Sequence, residues 1–374
     1  MSRRTLVVTN DFPPRQGGIQ SFVHQLAIRQ PMGSIVVYAS DHEGSAEFDA
    51  AQPFPVVRHP TGLLVPSPYA RRRTAEVLRQ HGCTAVWFGA SAPLGLLAPA
   101  LRAAGAERLV ATTHGHEVGW AKLPGGRQAL RRIGNQCDVI TYLGEYTRSR
   151  LAPAFGPRAT LRQLTPGVDV ETFHPGVDGS LVRIRHGLVG RPLIVCVSRL
   201  VPRKGQDTLI EALAIVRRSI PDAALLLVGR GPYHDDLLRL ATERGLAEHV
   251  VLTGGVPYEQ LPAHYAAGDV FAMPCRTRRA GLDVEGLGIV YLEASALGLP
   301  VLAGDSGGAP DAVLEGESGY VVDGRRPPAV AERLIALLED ADLRARLGEQ
   351  GRAWVQRDWR WDVIAEHLSE MLQD

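Results

Sequence analysis

Cysteine is scarce, four residues in 374, and Cys83, Cys137, Cys196 and Cys275 stand far apart with no Cys-x-x-Cys pair. That spacing excludes a zinc ribbon and a disulfide framework, and buried thiols are expected. No apolar run approaches the roughly 20 residues of a spanning helix; the longest candidate, Pro93 to Ala106, is broken by Pro99 and Arg102. The opening residues pass from two arginines into a short apolar strand ending at Asn10-Asp11, without the apolar core and small-residue cleavage site of a secretory leader. A cytoplasmic location is therefore expected. Charge of one sign is also missing: 41 Lys and Arg against 40 Asp and Glu give no signal of a nucleic-acid partner. The asymmetry is internal, since residues 1–180 hold 19 basic against 13 acidic side chains. No internal repeat and no low-complexity tract is evident.

What is present is a length too great for one compact core and a regular alternation of β-branched runs with amphipathic stretches, the pattern of βα units in a parallel sheet. An α/β fold with two domains is predicted. In the first half, strands are expected at residues 5–9, 35–39, 56–59, 86–89, 109–113, 139–143 and 161–165, and helices at 19–30, 69–81, 94–104, 127–135 and 146–155. A turn-rich connection, Pro166-Gly167-Val168-Asp169 through Pro175-Gly176, precedes a restart. There, strands are expected at 193–198, 224–229, 250–253, 270–273 and 301–303, and helices at 207–219, 235–244, 260–267, 288–297 and 329–338. Doubly wound sheets bind ligands at the carboxyl ends of their strands.

Four segments lie at such ends. The first strand empties into Asn10-Asp11-Phe12-Pro13-Pro14-Arg15-Gln16-Gly17-Gly18 just ahead of a helix; two glycines and free helix-start amides make an anion seat there, the alternative being an ordinary βα loop. Ser198-Arg199-Leu200-Val201-Pro202-Arg203-Lys204-Gly205 brings two cations, Arg199 and Lys204, before a helix. A forked guanidinium and a point-charge ammonium suit a diphosphate; a solvated basic loop is the plain alternative. Glu285-Gly286-Leu287-Gly288-Ile289-Val290-Tyr291-Leu292-Glu293 sets two carboxylates around a helix start, with the amides of Leu287, Gly288 and Ile289 free for a phosphate. In Thr113-His114-Gly115-His116-Glu117 the two histidines lack the further ligands of a metal site. His116 suits a sugar hydroxyl, and His114 suits a structural bond to backbone.

Gly17-Gly18, His116, Arg199-x4-Lys204 and Glu285-x7-Glu293 together resemble the retaining glycosyltransferases of family four. The stretches 10–20, 113–120, 198–208 and 271–293 look like the phosphatidylinositol mannosyltransferases within it. The resemblance implies a GT-B fold, two Rossmann-like doubly wound domains facing a central cleft. It implies an N-terminal acceptor domain over 1–168, a nucleotide-sugar domain over 169–354, and a C-terminal helix at about 355–374, with Trp354, Trp359 and Trp361, crossing back to the first. The implied reaction moves mannose from GDP-mannose to phosphatidylinositol monomannoside in α-1,6 linkage, with no metal or other cofactor.

In that scheme Gly17 and Gly18 meet the donor phosphates, Arg199 and Lys204 hold the β-phosphate, Glu285 binds mannose hydroxyls and Glu293 the ribose. His116 contacts mannose near its 6-hydroxyl, guanine lies by Gly229-Arg230-Gly231 and Gly255-Val256, and Glu259 or backbone selects it. Asn10, Arg15, Gln16 and Lys122 line the acceptor side. Leu63-Leu64-Val65 and the basic helix with Arg71, Arg72 and Arg73 are expected to rest on an anionic membrane face, unless they form a solvated surface helix. Two other functions stay open. A nicotinamide-dependent dehydrogenase lacks its G-x-G-x-x-G after the first strand; a sugar-nucleotide-binding protein without catalysis, or a transferase with another donor or acceptor, is allowed by the same fold.

Overall fold

The structure, a computed structural model, describes residues 3–281 and 283–374; the first two residues of the opening segment, and Leu282 within the stretch 271–293, lie outside the described residues. The chain divides into two compact units, one running to Gly167 and including Trp361–Asp374, the other Val168–Arg360.

The first unit holds β1 (Thr5–Thr9), β2 (Ile35–Ser40), β3 (Val56–His59), β4 (Ala85–Phe88), β5 (Arg108–Thr112), β6 (Val139–Tyr142) and β7 (Thr160–Gln163) in the order β3-β2-β1-β4-β5-β6-β7. All neighbours are parallel, so each connection crosses over, usually through a helix. The two-residue period of the strand splits its side chains between two cores. Leu6 and Val8 join one core with Val77, Leu130 and Ile133, while Val7 joins the other with Phe22, Leu26, Ile364 and Leu368. The last two come from the terminal helix Trp361–Gln373.

The second unit holds β8 (Leu193–Val197), β9 (Ala224–Val228), β10 (Val250–Gly254), β11 (Val270–Met273), β12 (Val301–Gly304) and β13 (Gly319–Val322), ordered β10-β9-β8-β11-β12-β13 and again parallel. β8 and β9 are buried along their whole length, as strands covered on both faces must be.

Short helices Ser45–Ala50, Glu117–Lys122 and Ser180–Arg185 add to the expected set, and larger differences lie in three places. The return to the first unit starts at Trp361, because helix Ala341–Asp358 stays in the second unit. Its Trp354 meets Trp359 edge to face at 5.3 Å, and both are buried in that unit's core. The stretch 94–104 breaks into a 3-10 turn Leu94–Leu97 and helix Ala98–Ala103, since Pro99 fits only the first turn of a new helix. β13 was not anticipated; its four residues open on Gly319, where any Cβ would meet the Val301 carbonyl oxygen at 1.9 Å.

In each sheet the strand order reverses once, between β1 and β4 and between β8 and β11. Loops leaving such a pair diverge to opposite faces and open a crevice. Segments 10–17 and 89–93 leave β1 and β4; segments 198–205 and 274–288 leave β8 and β11.

Candidate functional site

In the second unit the chain passes from β8 through Ser198–Val201 into a 3-10 turn, Pro202–Lys204, and then helix Gln206–Val216. Gly205 joins the two at φ +79°, and a Cβ there would sit 2.1 Å from the Pro274 carbonyl oxygen, so only glycine lets this turn close on the segment after β11. The closure buries Lys204 and brings its Nζ to 2.6 Å from Glu285 Oε2, with 10% and 8% of the two side chains exposed. Glu285 is itself held from both sides. Its amide donates to Ser306 Oγ at 3.4 Å and its carbonyl accepts from the Gly308 amide at 2.9 Å. Arg203 Nε lies 3.7 Å from Asp283 in a parallel pair. Arg199 is different: it is exposed, and its guanidinium has no hydrogen bond or ion pair among the described residues.

Gly288, at φ +83°, caps helix Ile289–Ala296 and its carbonyl accepts from the Tyr291 amide at 3.0 Å, so the Ile289 amide stands at the open head of the helix. Glu293 follows one turn inside, where Tyr265 Oη donates to its Oε2 at 2.6 Å. Burial raises the Glu293 carboxyl above the ordinary 4.5, and the tyrosine hydrogen bond opposes that shift. Burial, and then Glu293, pushes the Tyr258 phenol up to about 12. Beside them the loop 229–233 folds onto the loop after β8: Leu200 N donates to the Arg230 carbonyl at 2.9 Å, and a Cβ on Gly231 would meet the Leu200 carbonyl oxygen at 2.1 Å. Val256 is half-buried and Glu259 exposed at the rim of the same strand ends.

In the first unit Phe12 roots the loop after β1 in the core, edge-on to His24 and Phe48. Arg58 stands over its ring, pairs with Asp49 at 2.6 Å and donates to the Pro13 carbonyl at 2.6 Å. Arg15, Gln16, Gly17 and Gly18 remain exposed at the head of helix Gly18–Ala27. A Cβ on Gly17 would fall 2.1 Å from Gln20 Oε1, so a side chain there would displace the Gln20 amide from Asp11. Asn10 is engaged within the unit: its amide oxygen accepts from Leu64 N at 2.6 Å and its amide nitrogen donates to Leu64 O at 2.8 Å. It clamps a neighbouring loop, which leaves one N–H and one oxygen lone pair of the amide for any further contact. The clamp also turns Leu64 fully inward, so the apolar patch expected over 63–65 is reduced to Leu63 and Val65.

After β5, Gly115 at φ +92° turns the chain so that the His114 and His116 rings stack with centroids 6.2 Å apart. His114 Nε2 donates to the Gly89 carbonyl at 2.6 Å, and burial lowers its pKa below 6.5. His116 is exposed, and Lys122 lies exposed at the end of helix Glu117–Lys122. Sequence reasoning missed Glu117, whose side chain is wholly buried between these histidines. The one signal available was a carboxylate placed just after a His-Gly-His turn. Among the described residues no group of three or more His, Cys, Asp and Glu is gathered to hold a metal ion. Lys204 and Glu285 are brought together; the remaining expected site residues of the second unit follow its strand ends with no side-chain hydrogen bond or ion pair to one another among the described residues, Glu293 being engaged by Tyr265 instead.

Residues 16–172 match the family model described as glycosyltransferase family 4, and residues 183–354 the model described as glycosyl transferases group 1. The chain is 54% identical over 377 residues to a GDP-mannose-dependent alpha-(1-6)-phosphatidylinositol monomannoside mannosyltransferase of Mycolicibacterium smegmatis, covering 98% of this chain and 97% of that one. It is 48% identical over 377 residues to a GDP-mannose-dependent monoacylated alpha-(1-6)-phosphatidylinositol monomannoside mannosyltransferase of Corynebacterium glutamicum, covering 100% and 98%. Among solved structures, HepE of Anabaena in complex with UDP superimposes with a TM-score of 0.80 at 20% identity over 99% of each chain.

Proposed function

The chain belongs to family 4 of the glycosyltransferases, and from that premise we propose that it transfers mannose from GDP-mannose to phosphatidylinositol monomannoside, adding a second mannose in α-1,6 linkage with retention at the anomeric carbon. The observation that carries this reading is the 54% identity to the Mycolicibacterium enzyme over 98% of the chain. Incubation of the purified protein with radiolabelled GDP-mannose and acceptor in vesicles is expected to move label into lipid. Label entering equally well from UDP-glucose, or no lipid label at all, would overturn it.

The second unit is the donor-binding unit in this scheme. Arg199 and Lys204, with the amides of Leu287, Gly288 and Ile289, hold the diphosphate; Glu285 receives mannose hydroxyls and Glu293 the ribose hydroxyls; Gly231 and Val256 border the guanine. In the first unit Gly17 and Gly18 let backbone approach the phosphates, His116 hydrogen-bonds the mannose, and Arg15, Gln16 and Lys122 take the anionic acceptor. The acceptor oxygen bonds to the anomeric carbon as the bond from that carbon to the β-phosphate oxygen breaks. A β-phosphate oxygen takes the hydroxyl proton on the same face, and the two cations stabilise the charge that develops on departing GDP.

Glu293→Gln is expected to raise the donor KM about tenfold with little change in kcat, because an amide is a poorer acceptor for two hydroxyls. The same variant changes stability with a defined sign. A carboxyl whose folded pKa is raised destabilises the fold as pH climbs from its ordinary value into the raised range. Thermal unfolding should therefore find the glutamine variant gaining on wild type between acid and neutral pH; a parallel pH dependence would remove Glu293 from its buried setting.

Membrane contact is assigned to helix Pro68–Gln80, capped by Ser67 Oγ, with Leu63 at 61%, Val65 at 45% and Tyr69 at 44% exposure beside it. Arg71 and Arg72 are exposed, although Glu76 lies 3.6 Å from Arg72 and 3.3 Å from Arg73 and offsets part of their charge. Each basic residue near an anionic leaflet contributes about 1 kcal/mol, which gives reversible attachment of this amphipathic surface. Co-sedimentation is expected with anionic but not zwitterionic vesicles, weakened by salt and by Arg71, Arg72 and Arg73→Ser. Equal binding by the triple variant would refute the placement. No helix among the described residues is long and apolar enough to cross a membrane.

A further inference from the structure

Glu117 is a wholly buried carboxylate to which the scheme above gives no part. Its Oε2 accepts from the His114 amide at 3.0 Å, and its Oε1 accepts from Ser91 Oγ at 3.2 Å. The same Oε1 lies 3.4 Å from Nε2 of His116, whose ring is 44% exposed. A carboxylate taken fully out of water costs several kcal/mol unless donors surround it, and here three groups face it from two segments: Ser91 Oγ in the loop after β4, and the His114 amide and the His116 imidazole in the turn after β5. The neighbouring imidazole of His114 is already committed, with Nε2 on the Gly89 carbonyl, and burial keeps it neutral, so it adds no positive charge against the stacked His116 ring.

We propose that Glu117 is a positioning residue for His116: it draws the Nε2 proton of the ring toward itself and so leaves Nδ1 as the lone-pair acceptor presented to a sugar hydroxyl. The proposal rests on the mannosyltransferase reading for its consequence in catalysis, and on the bonds around Glu117 for its geometry. An acceptor-only carboxylate fixes which imidazole nitrogen carries the proton. Contacts of this kind are commonly long without substrate and tighten when it binds. The His114 amide holds the carboxylate by Oε2, and Ser91, fully buried with its own amide on the Thr112 carbonyl at 2.7 Å, adds a second donor to Oε1 without setting the ring tautomer.

Glu117→Gln reverses one end of this hydrogen-bond set. The glutamine oxygen must face the His114 amide, because an NH2 there would oppose another donor. Its NH2 then faces Ser91 Oγ, which can accept, and His116 Nε2, which can accept only if the ring proton moves to Nδ1. In the variant His116 would offer a donor where the native ring offers an acceptor.

The test is 15N NMR of histidine-labelled full-length protein at neutral pH, with His116 assigned by the signal lost in His116→Asn, alongside steady-state kinetics. The native protein is expected to show His116 protonated at Nε2, and Glu117→Gln to show the protonated position exchanged to Nδ1. In that variant kcat should fall about 100-fold, the scale of a misplaced reacting-site contact, while the donor KM changes less than about threefold. Ser91→Ala, which keeps the carboxylate, should retain the native tautomer and lose at most about threefold in kcat. A native His116 protonated at Nδ1 overturns the proposal even if Glu117→Gln does not fold, as does an unchanged tautomer in a folded variant. Exchange of the tautomer with an unaltered kcat overturns the positioning role. Absence of mannosyl transfer by the native protein would overturn the functional reading alone, because the ring signals are read without substrate.

Discussion

Lys204→Met is expected to lower kcat/KM for GDP-mannose at least 100-fold and to lower thermal stability as well, and adding Glu285→Gln is expected to recover the stability and not the rate. Two separate costs meet at one side chain. Loss of a preorganised cation facing a developing phosphate charge raises the barrier by about 3 kcal/mol. Removal of one partner of a buried ion pair strands the other, at about 3–5 kcal/mol of folding free energy. Lys204 Nζ and Glu285 Oε2 stand 2.6 Å apart with both side chains nearly out of water, so the second cost applies in full. Methionine with glutamine leaves no buried charge. Unfolding followed by circular dichroism and initial rates with GDP-mannose separate the two effects. A near-native rate in the single variant would remove Lys204 from the diphosphate, and a double variant as unstable as the single would show that the ion pair is not what the fold depends on.

Arg199→Ala is expected to give a similar loss of rate, about 100-fold, with no measurable loss of stability. The guanidinium has no ion pair or hydrogen bond to lose among the described residues, and it is exposed, so deleting it strands nothing. Its forked donors nevertheless match two phosphate oxygens, a geometry that lysine does not reproduce. Arg199→Lys is therefore expected to recover less than a tenth of the lost activity. A rate within threefold of native for the alanine variant would sink the assignment, and a large drop in unfolding temperature would mean that Arg199 supports the fold.

The contrast between these two cations was not legible in the sequence. Arg199-x4-Lys204 reads as a pair of like charges on one loop, and the plain reading for both is solvent exposure. Lys204 is buried because Gly205 closes the turn against the segment after β11, a contact between residues about 70 positions apart. Glu117 is the same case: a lone glutamate at the start of a six-residue helix, whose importance lies in Ser91 on another strand's loop and in the His114 amide. Asn10 is a third case, a polar residue in a ligand-facing loop whose amide is oriented at both ends by Leu64, 54 positions away.

By itself the sequence determined the α/β class, the positions of most strands and helices, the restart that separates two sheets, and the loops in which the chemistry should be sought. Those features follow from local periodicity and turn chemistry, which act within a few residues and survive without knowledge of the rest of the chain. The tertiary structure alone decided the strand order that puts segments 10–17 and 198–205 at a reversal, the residue, Trp361, at which the chain rejoins the first unit, and the partner of each ionised side chain. Hydrogen bonds and ion pairs between distant segments depend on crossover connections and packing, and the cost of burying a charge is set by which atoms surround it, so neither is written in the spacing of residues along the chain.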